Sequence, residues 1–293
     1  MARHRLLPLL AALMLAPHAS AQPRDASVQA HYLALDDARF GTARMDGFET
    51  GTARMAGFET GARAWTPTLR GGFAIGADYL YTHYSYEGLP TRDRDLHRLA
   101  VPVEWSSHGT TSVTLTATPT VATSSNVFQD LFSRGTGDDF ELYARVTVQR
   151  GTEAGWGWLL GAAYDDRFGD PEPYPVVAMT YASERLALEV GWPRASAQWH
   201  ANDAFDLGLE VEPAGTRWHV VSDERDGADF DYVVQAWRAA LVANWRFAPR
   251  WHVAARIGSE FDRHHDFEDD TGARIDVDAQ SAAFAAFALG LDF

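Results

Sequence analysis

The chain reads as all-β: an antiparallel transmembrane β-barrel of about twelve strands with both termini in the periplasm. Three observations predict it: an export signal at the N-terminus, two-residue alternation of apolar and polar residues from residue 70 onward, and connections that alternate between long and short. The composition permits such a fold. With 293 residues, 46% apolar and 12% aromatic, the chain has the means to bury a large surface and is not of disordered type. All 25 basic residues are Arg, against 40 acidic ones, and a net charge of −15 argues against a nucleic-acid partner. Cysteine is absent, which excludes disulfides, thiolate chemistry, Cys-bound zinc and iron–sulfur clusters. No cofactor motif is present: there is no Gly-rich phosphate loop and no lipidation Cys.

The N-terminus runs Met1-Ala-Arg3-His4-Arg5, then apolar from Leu6 to Ala16, then Pro17 and Ala19-Ser20-Ala21, which is the layout of a secretory signal peptide. The apolar run is shorter than the roughly 20 residues a spanning helix needs. Residues 1–21 are therefore expected to be removed. Losing Arg3 and Arg5 from 25 basic residues leaves 23 against 40 acidic ones, a net charge of −17. Residues 22–68 read as a separate N-terminal segment with one short strand at 28–35. It carries a tandem repeat over 41–60, whose two ten-residue copies differ only at Asp46 and Ala56. Two copies are too few for a solenoid, so the repeat reads as a local duplication. The barrel is assigned to 69–293.

Within it the alternation is plainest at 113–121, where Val113, Leu115, Ala117 and Val121 interleave with Thr114, Thr116, Thr118 and Thr120, and at 140–149. Ten further strands are expected at 73–86, 96–105, 156–164, 174–181, 186–192, 205–211, 217–222, 232–247, 251–261 and 275–293, with a single helical turn at 126–133. Long connections fall at 87–95, 123–139, 165–173, 193–204, 223–229 and 263–272; short ones lie between them at 106–111, 151–155, 182–185, 212–215 and 248–250. Outer-membrane barrels have short periplasmic turns and long external loops, and an even strand count returns both termini to one side.

One face of the strands collects Val101, Val103, Trp156, Trp158, Leu160, Val190, Trp237, Leu241 and Trp245, with Trp and Tyr at strand ends like an aromatic girdle. A soluble β-sandwich would alternate as well. The opposite face projects Asp78, Glu104, Glu141, Glu189, Asp206, Glu210 and Glu260 together with Arg98, Arg145, Arg217, Arg238, Arg246 and Arg256. In a narrow lumen such groups must pair. Of these, Arg98, Glu104, Glu141, Arg145, Arg238, Arg246, Arg256 and Glu260 are the expected lumen lining, either of a pore or of a plugged barrel. His264, His265, Asp266, Glu268, Asp269 and Asp270 form an acidic external cluster suited to weak cation bridging to lipopolysaccharide rather than to a dedicated metal site. Two catalytic arrangements are conceivable, a rim acid–base site of Asp165, Asp166, His264, His265 and Asp266, and a Ser196–His200 hydrolase pair. Acidic loops are normally just solvated, and the Ser196–His200 pair lacks an orienting carboxylate, so the sequence favours a non-enzyme without deciding it.

The last strand ends Phe287-Ala-Leu289-Gly-Leu291-Asp-Phe293 and looks like the terminal signal that hands outer-membrane proteins to the barrel-assembly machinery. Through Leu96-His97-Arg98-Leu99, the stretch from Phe168 to Pro175, and Leu188-Glu-Val-Gly191-Trp192-Pro193, the chain resembles an uncharacterised family of outer-membrane β-barrel proteins, porin-like or transporter-like. The resemblance implies location and architecture and transfers no catalytic residue. The expected partners are outer-membrane lipid, lipopolysaccharide at the acidic loops and, through the terminal signal, the assembly machinery. The expected function is passive passage of small polar or charged solutes; the alternative is a closed structural or surface-interaction barrel.

Overall fold

The computed structural model describes residues 26–40, 44–45, 48–49, 53–107, 109–151 and 154–293. The expected signal peptide and most of the first repeat copy lie outside them. The strands are β1 (Ser27–Arg39), β2 (Arg54–Trp65), β3 (Phe73–Glu87), β4 (Arg94–Ala100 and Val103–Ser106), β5 (Thr111–Ser124), β6 (Phe140–Arg150) and β7 (Gly155–Asp165). They continue as β8 (Glu172–Ala182), β9 (Leu186–Trp192), β10 (Ala195–Asn202), β11 (Phe205–Pro213 and Thr216–Ser222), β12 (Ala228–Ala248), β13 (Trp251–Glu268) and β14 (Arg274–Ala279 and Ala282–Asp292). Both segments of β4 pair with β3 and β5, both segments of β11 with β12, and both of β14 with β13, so each is one strand with a break. Each strand runs antiparallel to the next, and β14 returns to β1 in the register Ser27↔Asp292 to Leu35↔Phe284. The sheet is a closed barrel with no free edge.

The barrel has fourteen strands, not about twelve. Two of the uncounted ones, β1 and β2, come from the stretch before residue 69. β2 alternates glycine and charge on its inner face, Gly57, Glu59, Gly61 and Arg63, against Ala56, Phe58, Thr60, Ala62 and Ala64 outside, which is a weak pattern. Gly57 is needed there, because a Cβ would fall 2.7 Å from the Tyr84 ring on β3. β10 occupies what reads as a long loop at 193–204, its outward positions being mostly Ala. Conversely 205–211 and 217–222, expected as two strands, are one. Omitting β10 and splitting β11 offset each other in parity, so the alternation of long and short connections survives the miscount.

The first and last described residues, Ala26 and Phe293, lie at one end with the connections 66–72, 183–185, 203–204 and 249–250; we call this the turn end. The other, the loop end, carries among others 125–139, 166–171, 223–227 and 269–273, with two short helices at Ser125–Gln129 and Leu131–Arg134. The expected helical turn at 126–133 falls on them.

Outward positions are apolar and exposed over the whole circumference, including Val28, Ile75, Val103, Leu142, Leu160, Met179, Val190, Leu209, Leu241, Ile257 and Leu289. Large aromatics fringe this belt, with Trp156, Trp199, Trp245 and Trp251 toward the turn end and Phe140, Tyr164 and Trp192 toward the loop end. Fourteen tilted strands set about 4.8 Å apart enclose a backbone cylinder about 28 Å across, too wide for wall side chains alone to fill. At the loop end chain fills it. The second segment of β11 and the start of β12 cross the mouth, and His219 pairs in parallel with Thr123 on β5, six places away around a fourteen-strand ring. The buried cluster they complete joins Leu33, Leu35, Met55, Tyr84, Leu96, Trp218, Tyr232, Phe267, Ile275 and Phe284 from eight strands.

Candidate functional site: a charged lumen beneath an aromatic cap

Inner-face positions below the cap carry the charges. Arg63 Nε donates to Asp78 at 2.8 Å, from β2 to β3, near the turn end. Arg238 Nε donates to Glu260 at 3.1 Å, lies 3.8 Å from Glu59, and sets its guanidinium over the Phe284 ring at 5.1 Å. Arg256 reaches Glu210 at 3.2 Å and Glu212 at 3.9 Å, and Arg194 reaches the same two acids. This is the pairing that desolvated charges require. Strict alternation would put Glu260 and Arg263 on opposite faces. A bulge opposite Ala236, with Asp262 in the left-handed region at φ 51°, turns Arg263 inward, 3.5 Å from Glu260.

The boundary between charge and cap is a clamp across the lumen. Arg98, on β4, donates from Nη1 and Nη2 to Asp166 at 2.8 and 2.9 Å. Asp166 belongs to the β7–β8 connection, which folds inward, and its side chain is 3% exposed. It also accepts from Thr216 Oγ1 and the Arg217 amide, both at 3.2 Å on β11. Arg98 lies over the Tyr143 ring of β6. Phe168, two residues beyond Asp166, stacks on Trp192 at 5.3 Å and meets Trp237 at 6.0 Å, so Trp237, expected among lipid-facing residues, is partly covered. Above this, Tyr232 stacks on Tyr84 at 5.7 Å and on Phe267 at 4.9 Å, and its hydroxyl bonds that of Tyr86.

Of the expected lining, Arg98, Glu104, Glu141, Arg145, Arg238, Arg246, Arg256 and Glu260 all sit on the phase opposite the apolar belt. Glu141 accepts from Arg217 at 3.1 Å. Arg145 borders a small cavity with Arg167, Glu189, Arg194 and Glu212. Arg246 lies near the turn end. Asp166 and Trp218, which decide how the lumen is closed, are not in that set. Asp166 reads as a solvated loop acid, and Trp218 as one more wall aromatic.

The structure does not gather the acidic cluster. Asp266 is bonded by Arg274, Glu268 by Arg225 at 2.5 Å, and Asp270 by Arg94 at 3.0 Å. Asp269 accepts from the Thr271 and Ala273 amides within its own turn. His264 faces Asp276 and Asp278, while His265 is enclosed by Phe40, Tyr84 and Tyr232. Asp165 is engaged by Arg167 and Tyr174, and Asp166 by the clamp, so neither reaches the two histidines. Ser196 and His200 are four residues apart on one strand, about 13 Å, beyond hydrogen-bonding reach.

No family model matches the chain, and no curated protein sequence matches it. Among solved structures it is similar to an outer-membrane channel from Pseudomonas putida F1, at 10% identity over 92% of this chain and 97% of that one, TM-score 0.49. It is similar to the toluene transporter TodX of Pseudomonas putida, at 9% identity over 93% and 90%, TM-score 0.38. The translocator domain of the autotransporter NalP from Neisseria meningitidis is similar at 12% identity over 98% and 93%, TM-score 0.39.

Proposed function

We propose that this chain is an outer-membrane barrel that passes small polar or charged solutes, and that the arrangement described above is its shut state. The observation that carries the reading is where the closure comes from. The ring closes through β1 and β14, and the lumen is blocked by the hairpin of β11 and β12 and by the 166–171 connection rather than by the wall strands alone. Below the block the lining is charged and partly wet: the side chains of Arg63 and Asp78 are 41% and 24% exposed. A continuous apolar belt of this size is unsuited to water and supports insertion in a bilayer. The short turns, with Ala26 and Phe293 at the same end, support a periplasmic position for that end, with the loops outside in contact with lipopolysaccharide. The terminal Phe293 supports delivery by the barrel-assembly machinery.

A closed structural barrel is the second reading, favoured by the density of the aromatic cap. Conductance of the refolded mature protein in planar bilayers separates them. The channel reading expects brief steps from the unaltered protein, longer openings when Arg98 and Asp166 are both replaced by Ala, and a shift toward cation selectivity with Arg246→Glu. Silence from protein shown to be inserted, with and without the clamp, would leave the closed barrel.

A further inference from the structure

His219, in the second segment of β11, is 5% exposed, and its Nε2 is buried without a hydrogen-bond partner. The Asp229 carboxylate on β12 lies 3.7 Å from that nitrogen. Asp138 comes to the same point from the turn Gly137–Asp139 that precedes β6, and the three side chains each offer one donor atom within 4.8 Å of the others. On the far edge of the ring, Nδ1 is 3.7 Å from Asp231 Oδ1, and Asp231 is held by Arg217 at 2.7 Å. An imidazole hydrogen-bonded to a carboxylate would sit about 2.7–3.2 Å away. Two ligands on one tetrahedral ion, each about 2.1 Å from it, lie about 3.4 Å apart. The 3.7 Å between Nε2 and the Asp229 carboxylate is too long for the first and near the second.

We propose that His219, Asp138 and Asp229 form a site for one divalent ion of the Zn²⁺ type. One nitrogen and two carboxylates suit Zn²⁺, whereas Ca²⁺ and Mg²⁺ take oxygen-only sets. The ligands come from the β5–β6 connection on one side of the mouth and from the β11–β12 hairpin that crosses it. An ion there staples the hairpin to the opposite wall.

The test uses the mature protein in detergent, stripped with chelator and titrated with Zn²⁺ in a calorimeter. The site predicts one equivalent bound, affinity weakened about tenfold or more when Asp138 and Asp229 are both changed to Asn, and no change with Asp278→Asn, an acid beside His264. Both ligand carboxylates are exposed, so the double variant is expected to fold. Zn²⁺ should also slow tryptic cleavage after Arg225 at the hairpin tip in the unaltered protein and not in the double variant. Equal affinity in the double variant, or absence of binding by the unaltered protein, would overturn the site. Neither readout involves conduction, so the channel reading stands or falls separately.

Discussion

Toward the turn end, the inner face of the barrel carries Arg63, Asp78, Arg246 and Arg256, paired or partly wet. Toward the loop end the inner face carries Leu33, Tyr84, Trp218, Tyr232 and Phe267, sealed from solvent. The same wall and the same alternation run through both halves. What differs is whether extra chain enters the cylinder. Where β11 and β12 cross the mouth, inner positions acquire apolar neighbours and are apolar themselves. Where nothing enters, they face water or one another and are charged. The lesson is that the inner face of a wide barrel has no fixed character, because its environment is set by what lies at the centre.

The sharpest way to break this contrast is to hollow the cap. Trp218 is 1% exposed and touches Tyr84 and Tyr232, so Trp218→Ala should cost about 3–5 kcal/mol, read from the urea midpoint in detergent micelles. At the boundary, Arg98→Ala strands the Asp166 carboxylate away from water and should cost about 3 kcal/mol. Adding Asp166→Ala should recover most of that loss, since no buried charge then remains; additive losses would mean the clamp is not a coupled pair. Arg63→Ala, in the wet half, should change the midpoint by no more than about 1 kcal/mol, because the pair it breaks is screened. An Arg63 effect as large as that of Trp218 would show the turn end to be packed rather than open.

Much of the wall was legible in the sequence. Strands such as β5, β6 and β7 alternate bulky apolar with polar residues, and their bounds follow from that. β2 and β10 were not legible, because Ala and Gly fill the positions that should carry the signal. The candidate site divides in the same manner. Arg238, Glu260 and Arg256 are readable as inward by phase, and their need for partners follows from desolvation. Which partner each takes depends on neighbouring strands far apart in sequence, as with Arg256 and Glu210. The metal ligands were invisible for the same reason, since Asp138, His219 and Asp229 come from two regions some eighty residues apart.

By itself the amino-acid order determined an all-β antiparallel chain with one apolar and one charged face, because a two-residue period records which side each residue occupies. It also determined the even parity of the strands, through the alternation of connection lengths. The count of fourteen, the bulge at Asp262 and the hairpin laid across the mouth were decided only in three dimensions. Each depends on which distant segments meet. Periodicity reports the local face of a strand and carries no information about what lies opposite it.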